Sequence, residues 1–268
     1  MHSVAEGKTA KRGPTEKKRG LSNVRGGKGA ATRTIGLLGA IFAYAVRRGM
    51  RTDNPVRGVE RFADNRRLRR LTDDEYRLIA LAHSRAASGG TWPPLIAAAR
   101  FLMITGWRLG EVIGLNWGEI DLPRRSAVLG DTKTGQSVRP MSRAACDILR
   151  EQSTKEGLVF PAARGLGTMS GFARVWARII HLEALPHDLT PHVLRHSFAS
   201  LAHDLGYSEP TIASLLGHKS GSITSRYIHP ADSYLLAAAD AVANRTLALM
   251  GESKGPEVIE FPSSASAA

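Results

Sequence analysis

Three short β-prone pieces, at residues 119–122, 126–129 and 136–140, stand in a row in a chain whose other patterned segments repeat at helical spacing. Only turn residues separate them. Connections this short join antiparallel neighbours, because a parallel pair needs a crossover of about a dozen residues or more. The pattern therefore restricts the chain to a mainly helical α+β fold with one small antiparallel sheet. Before the sheet, Thr72 and Glu75 have the spacing of a capping box and open a helix that runs through Ala87. A second helical pattern spans 93–105. After the sheet, helices are predicted to begin at Ser142, Thr168, Thr190, Ser208 and about Ser222, with a last long one over 231–250.

Upstream, one amphipathic helix is predicted over 32–48, with Ile35, Leu38, Phe42, Ala45 and Val46 at helical spacing. Gly49 ends it and Asn54-Pro55 prevents its restart. Residues 1–29 are rich in Lys, Arg, Gly and Ser without apolar period, and are expected to be disordered. Residues 61–70 read as an exposed basic linker to a main domain over 71–250, and 251–268 as a flexible tail.

Charge sharpens this division. The chain carries a net +13, and residues 1–70 alone hold 18 Lys and Arg against 5 Asp and Glu, while the remaining 198 balance at 19 each. The excess thus lies in front of a neutral globular body, where it suits a polyanionic partner. The single cysteine, Cys146, excludes an intramolecular disulfide framework and fits a reducing compartment. The longest apolar run, 35–46, is too short to span a bilayer, and no secretory signal is present, so the expectation is a cytoplasmic protein that does not enter membranes.

Several polar residues stand at places that chemistry can use. Residues 189–206 predict a helix with Thr190 as N-cap and Pro191 at its first position. Leu194, Phe198, Leu201 and Leu205 share one face, while His192, Arg195 and His196 fall on the opposite face, near the helix end that attracts anions. His192 and His196 stand four apart, but with no third ligand in view a metal site is not expected. In TGWRLGEV (105–112) a glycine breaks a helix just before Arg108, and Glu111 stands where it can orient the guanidinium. Lys133 lies in the turn between the last two strands. His218 follows Gly217 at the end of a short capped helix, and Tyr227 comes nine residues later. Taken singly, each has an ordinary solvated or packing role.

Taken in order, TGWRLGEV, PHVLRHSFAS (191–200), LLGHKS (215–220) and ITSRYIH (223–229) resemble the boxes of the tyrosine recombinase, or phage integrase, family. The resemblance covers roughly 71–250, and more loosely 31–59. It implies the recombinase catalytic fold with its small antiparallel sheet, preceded by a partial helical core-binding domain over 30–60. The implied activity is site-specific cleavage and rejoining of DNA through a 3′-phosphotyrosyl link, for integration or excision of a mobile element. The resemblance assigns Tyr227 as nucleophile and Arg108, Lys133, His192, Arg195 and His218 as the other catalytic residues. Lys133 would be general acid to the 5′-oxygen, His192 would accept the tyrosine proton, and Glu111 would support Arg108. Arg61, Arg66, Arg67, Arg69 and Arg70 are expected to contact DNA. No metal, ATP or other cofactor is implied. The expected partners are double-stranded DNA and further copies in a tetramer on paired sites, with the 231–250 segment docking on neighbours. Such enzymes usually carry a complete core-binding domain, so a chain with one helix in that place is expected to clamp DNA incompletely and bind it weakly. Two other readings share these residues: a DNA-binding relic of an integrase that no longer cleaves, and a type IB topoisomerase, which relaxes supercoils by the same tyrosine chemistry.

Overall fold

The computed structural model describes residues 1–16, 20–63, 69–130, 136–165, 167–218 and 233–252. Its contacts divide the chain into two units, Met1–Arg67 and Leu68–Ala268.

In the first unit a short helix α1 (His2–Ala5) precedes strands β1 (Lys11–Pro14) and β2 (Leu21–Val24), then helix α2 (Lys28–Arg47). The strands pair antiparallel, Lys11 opposite Val24 and Pro14 opposite Leu21. This corrects the expectation that residues 1–29 lack structure. Backbone pairing needs no apolar period, and here it operates with almost every strand side chain in solvent. Helix α2 ends as the sequence predicts. Gly49 takes φ 71°, and the Met50 amide reaches back to the Ala45 carbonyl at 2.9 Å. Asn54 then folds the chain back, its side chain donating to the Gly39 carbonyl at 3.0 Å. The helix starts earlier than the apolar run, so its 20 residues reach a length that by composition could cross a membrane, a test that core helices of soluble proteins also pass. Only Ala31 of α2 is buried, and Leu37 and Ile41 are more than half exposed.

The second unit holds α3 (Asp73–Ser88), α4 (Pro93–Thr105), α5 (Leu109–Ile113), a 3-10 turn at Trp117–Glu119, and strands β3 (Ile120–Asp121), β4 (Ser126–Leu129) and β5 (Ser137–Pro140). Helices α6 (Arg143–Arg150), α7 (Phe172–His181), α8 (Pro191–Asp204), α9 (Glu209–Leu216) and α10 (Ser233–Leu249) follow. The strands form one antiparallel sheet in the order β3-β4-β5, with Ala127 opposite Arg139. The Thr72–Glu75 capping box forms. One start and one cap differ from expectation. Thr168 to Ser170 form a turn, so α7 begins after Gly171, and Thr190 stands at the α8 N-cap without a side-chain cap bond. The helix expected near Ser222 lies outside the described residues.

Helix α4 explains how the unit is held together. Nine of its thirteen residues are buried, because α3, α5, α6, α8 and α10 all pack on it. A helix so apolar, with Arg100 its one charge, belongs at the centre of a core. Phe101 sits fully buried against Trp107 and Phe160, with ring centroids 5.2 and 5.6 Å away. Helix α10 belongs to this same core. Leu235, Ala238, Ala239, Val242, Ala243, Thr246 and Leu249 are buried, and Asp240 accepts from both the Arg125 guanidinium and the Arg143 amide. Its small-residue face is spent on its own chain, so the expected docking of this segment on a neighbouring copy falls to its exposed face.

His83 is a core residue that titrates in the acid range. His83 of α3 is 2% exposed, packs edge-on against Trp176, and has no hydrogen-bond partner for either ring nitrogen among the described residues. Burial first, and the Arg100 charge second, push its pKa down from 6.5 to about 3. The folded protein thus keeps His83 neutral where the unfolded chain binds a proton. Stability is fully present above pH 6.5 and is lost as the pH falls toward 3. At pH 5 this one group should cost on the order of 2 kcal/mol. In His83→Leu, denaturant unfolding at pH 7 and pH 5 should differ less than in wild type by about that amount. An unchanged pH dependence would show that His83 is protonated in the fold.

Candidate active site

Helices α4 and α9 both end on a left-handed glycine, Gly106 and Gly217, each at φ 63°. Neither position admits a side chain. A Cβ on Gly106 would lie 2.7 Å from the Phe198 ring, and one on Gly217 would lie 1.9 Å from the Arg139 guanidinium carbon. Such helix ends leave carbonyls unpaired and carry the negative end of the helix dipole. Arginine side chains take them up. Arg195 of α8 donates to the Gly106 carbonyl at 2.8 Å and to the Leu216 carbonyl at 3.0 Å.

Arg195 also donates to Nε2 of His218 at 2.8 Å. A guanidinium only donates, so Nε2 must accept, and the neutral His218 ring carries its proton on Nδ1. Arg195 is 6% exposed. The expectation that it shares a solvent face with His192 and His196 is corrected. Helix α8 packs against α4, α9 and α10, and this burial extends to Val193, Arg195 and Ser197 beside the apolar stripe. His192 and His196 do face solvent, with rings perpendicular and centroids 4.5 Å apart. No cluster of three or more metal-binding side chains occurs among the described residues.

Arg108 stands two residues beyond Gly106, as the N-cap residue of α5. Its amide and its Nη1 donate to the two oxygens of Glu111, at 2.9 and 2.8 Å. Glu111 is nearly buried while about a third of the Arg108 side chain is exposed, so the carboxylate fixes a guanidinium whose other edge faces out. Four sequence-predicted residues, Arg108, Glu111, Arg195 and His218, thus meet in one cluster, and His192 feels the charge of both arginines. Lys133 and Tyr227 lie outside the described residues.

A further member was missed. Arg139 of β5 is fully buried, stacks over Trp107 at 5.6 Å, and donates to Glu111 Oε1 at 2.9 Å, to Ser137 Oγ at 3.0 Å and to the Leu216 carbonyl. The signal was present in the strand alternation, which points Arg139 to the same side as its buried cross-strand neighbour Ala127. A charge at such a position needs partners, and Glu111 is the acid close to it.

The predicted DNA contacts fare differently. Arg61 is exposed, and Arg66 and Arg67 lie outside the described residues. Arg69 is taken up by Glu75, on which two of its nitrogens converge, and by Asp188 at 3.2 Å, while Arg70 pairs with Asp204 at 2.8 Å. Arg69 thus binds the first turn of α3 and the loop before α8 rather than presenting its charge outward.

The phage integrase family model matches residues 69–233. The chain belongs to this family of tyrosine recombinases. It is 30% identical over 242 residues to the tyrosine recombinase XerC of Xylella fastidiosa (strain 9a5c), covering 86% of this chain and 78% of that protein. It is 32% identical over 233 residues to the shufflon-specific DNA recombinase of Escherichia coli, covering 84% of this chain and 58% of that one. Among solved structures it is similar to a lambda integrase(75-356) dimer bound to a COC′ core site, with TM-score 0.58, 25% identity and coverage of 72% of this chain and 73% of that chain. It matches a lambda integrase tetramer bound to a Holliday junction at the same TM-score and identity, over 76% of this chain and 60% of that one.

The electrostatics of the recombinase cluster follow from crowding. Burial works to raise the Glu111 carboxyl, but Arg139 and the donors of Arg108 outweigh it and hold it below the usual carboxylate value. Burial, then the Arg108 and Arg139 charges, lower Arg195 to about 10 against the pull of Glu111. His192 is lowered by burial, then by His196, Arg195 and Arg108, and His218 by burial, then by Arg195, Arg108 and Arg139. Both imidazoles should therefore titrate below pH 6.5 when followed by heteronuclear NMR on the DNA-free protein. Midpoints at or above 6.5 would mean that a carboxylate, rather than the arginine cluster, dominates their field.

Proposed function

We propose that the chain is a site-specific recombinase that cuts and rejoins double-stranded DNA through a 3′-phosphotyrosyl intermediate on Tyr227. One observation supports this reading above the others: residues far apart in the chain bring two guanidinium groups, Arg108 and Arg195, together with His218 at two helix ends. Guanidinium forks match the non-bridging oxygens of a phosphodiester, and donors fixed before reaction are usually the largest catalytic contribution.

In this reading the Tyr227 oxygen attacks phosphorus and the bond to the 5′-oxygen breaks. His192, its pKa lowered by burial and then by its cationic surroundings, takes the phenol proton, and Lys133 protonates the leaving 5′-oxygen. Arg108 and Arg195 hold the charge that grows on the non-bridging oxygens, and Nδ1–H of His218 donates alongside them. One phosphoester replaces another, so the link can be reversed by a new 5′-hydroxyl without an energy source. The relatives described above include a DNA recombinase and lambda integrase bound to DNA as dimer and tetramer, which supports DNA as partner and assembly of several copies. We take the finer assignments to be a tetramer on paired sites, action on a mobile element, and a cytoplasmic enzyme whose first 67 residues supply a basic arm and a partial core-binding domain.

Nicked DNA bearing the flanking attachment sequence tests the reading, with wild type and Tyr227→Phe compared under denaturing conditions. Wild type should give a covalent protein–DNA band that the Phe variant lacks while still binding DNA. A band from Tyr227→Phe would remove Tyr227 as nucleophile. DNA binding without any band from wild type would favour the relic.

A further inference from the structure

Arg139 shares an acceptor with each arginine proposed to bind the phosphate. Glu111 Oε1 receives Arg139 at 2.9 Å and Arg108 at 2.8 Å, and the Leu216 carbonyl receives both Arg139 and Arg195. We infer that Arg139 is a positioning residue that sets the spacing of Arg108 and Arg195 for a single phosphate. The inference rests on the recombinase reading above and adds to it a residue that never meets DNA.

The chemistry of the shared acceptors explains how this works. The Arg108 amide anchors Oε2 of Glu111, but without Arg139 its Oε1 would be held only by the Arg108 side chain, a third of which is exposed. Pinned from behind by a fully buried guanidinium, its carboxylate keeps one orientation, and so does the edge of Arg108 that faces out. At the other end, Leu216 is the last residue of α9, and its carbonyl lies between two guanidinium groups. That fixes the helix end from which His218 emerges. Arg139 is itself held by Trp107 beneath its plane, by Ser137, and by Gly217, whose missing Cβ leaves the space it occupies. It also stands on β5, six residues after Lys133 in sequence. One side chain thus ties the sheet to both halves of the site.

A merely structural arginine would affect every substrate alike, whereas one that places cations against a phosphate charge matters less when that charge is absent. The test compares covalent-complex formation by wild type, Tyr227→Phe, Arg139→Met and Arg139→Lys at saturating nicked DNA. One substrate has an ordinary scissile phosphate, and the other has a neutral methylphosphonate in its place. On the phosphate, Arg139→Met should slow the reaction by about 10- to 100-fold, the scale on which misplaced groups act. DNA affinity should stay within roughly threefold, since the side chain makes no phosphate contact. Arg139→Lys, which keeps the charge but gathers its donors on one nitrogen in place of a planar fork, should fall between. On the methylphosphonate the deficit of both variants should shrink severalfold. An equal deficit on both substrates, or none on the phosphate, overturns the inference. Should Arg139→Met fail to melt cooperatively, Arg139→Lys carries the same comparison. No band from wild type on the phosphate would instead sink the recombinase reading itself.

Discussion

Two helix ends hold this site together. Helices α4 and α9 each stop at a left-handed glycine, and their last carbonyls converge on buried guanidinium groups. A buried arginine is costly unless its donors are satisfied, and an orphaned helix carbonyl is costly for the same reason. Here each need answers the other. The energy that seats Arg195 comes from carbonyls that cannot move without unwinding a helix, which gives the guanidinium its fixed place. Breaking that arrangement from one side would leave an uncompensated charge in the core, the expensive case for buried ions.

The same arrangement leaves an electrostatic imbalance. Arg108, Arg139 and Arg195 surround one carboxylate, Glu111, so the cluster is cationic before any substrate arrives. The lowered Arg195 and the two lowered imidazoles, His192 and His218, follow from burial first and from this crowding second. A phosphodiester entering the cluster relieves the repulsion, and the extra charge that develops on its oxygens relieves it further. Stored repulsion of this kind favours the transition state over the free site, which is what catalysis requires. It also adds to burial in lowering the His192 imidazole.

Much of the fold was legible because local chemistry decided it. The capping box at Thr72, the stop at Gly49, the helix over 93–105 and the three short strands each depend on neighbours within a few residues. The Arg108–Glu111 pair, three residues apart, was legible for the same reason. What could not be read were the choices made by packing. A helical wheel sees one apolar stripe, so it placed Arg195 in solvent, while the structure covers that side of α8 too. Arg139 is 28 residues from Glu111 and 77 from the Leu216 carbonyl, and nothing local announces either bond. Arg69 was read as a DNA contact although Glu75 is only six residues away, because the turn that brings them together and the second partner Asp188, 119 residues away, are set by the tertiary fold. The small residues of α10 suited either a neighbour or its own core, and only the tertiary fold chose.

On this proposal the two helix ends build a phosphate site before DNA arrives. A structure of Tyr227→Phe bound to its attachment DNA is the decisive test. Non-bridging oxygens of the scissile phosphate should lie within hydrogen-bond reach, about 3 Å, of both Arg108 and Arg195. Arg195 should stay on the Gly106 and Leu216 carbonyls and Arg139 on Glu111, as in the free protein. A scissile phosphate held elsewhere, or an Arg195 that leaves its helix ends to reach the DNA, would contradict it.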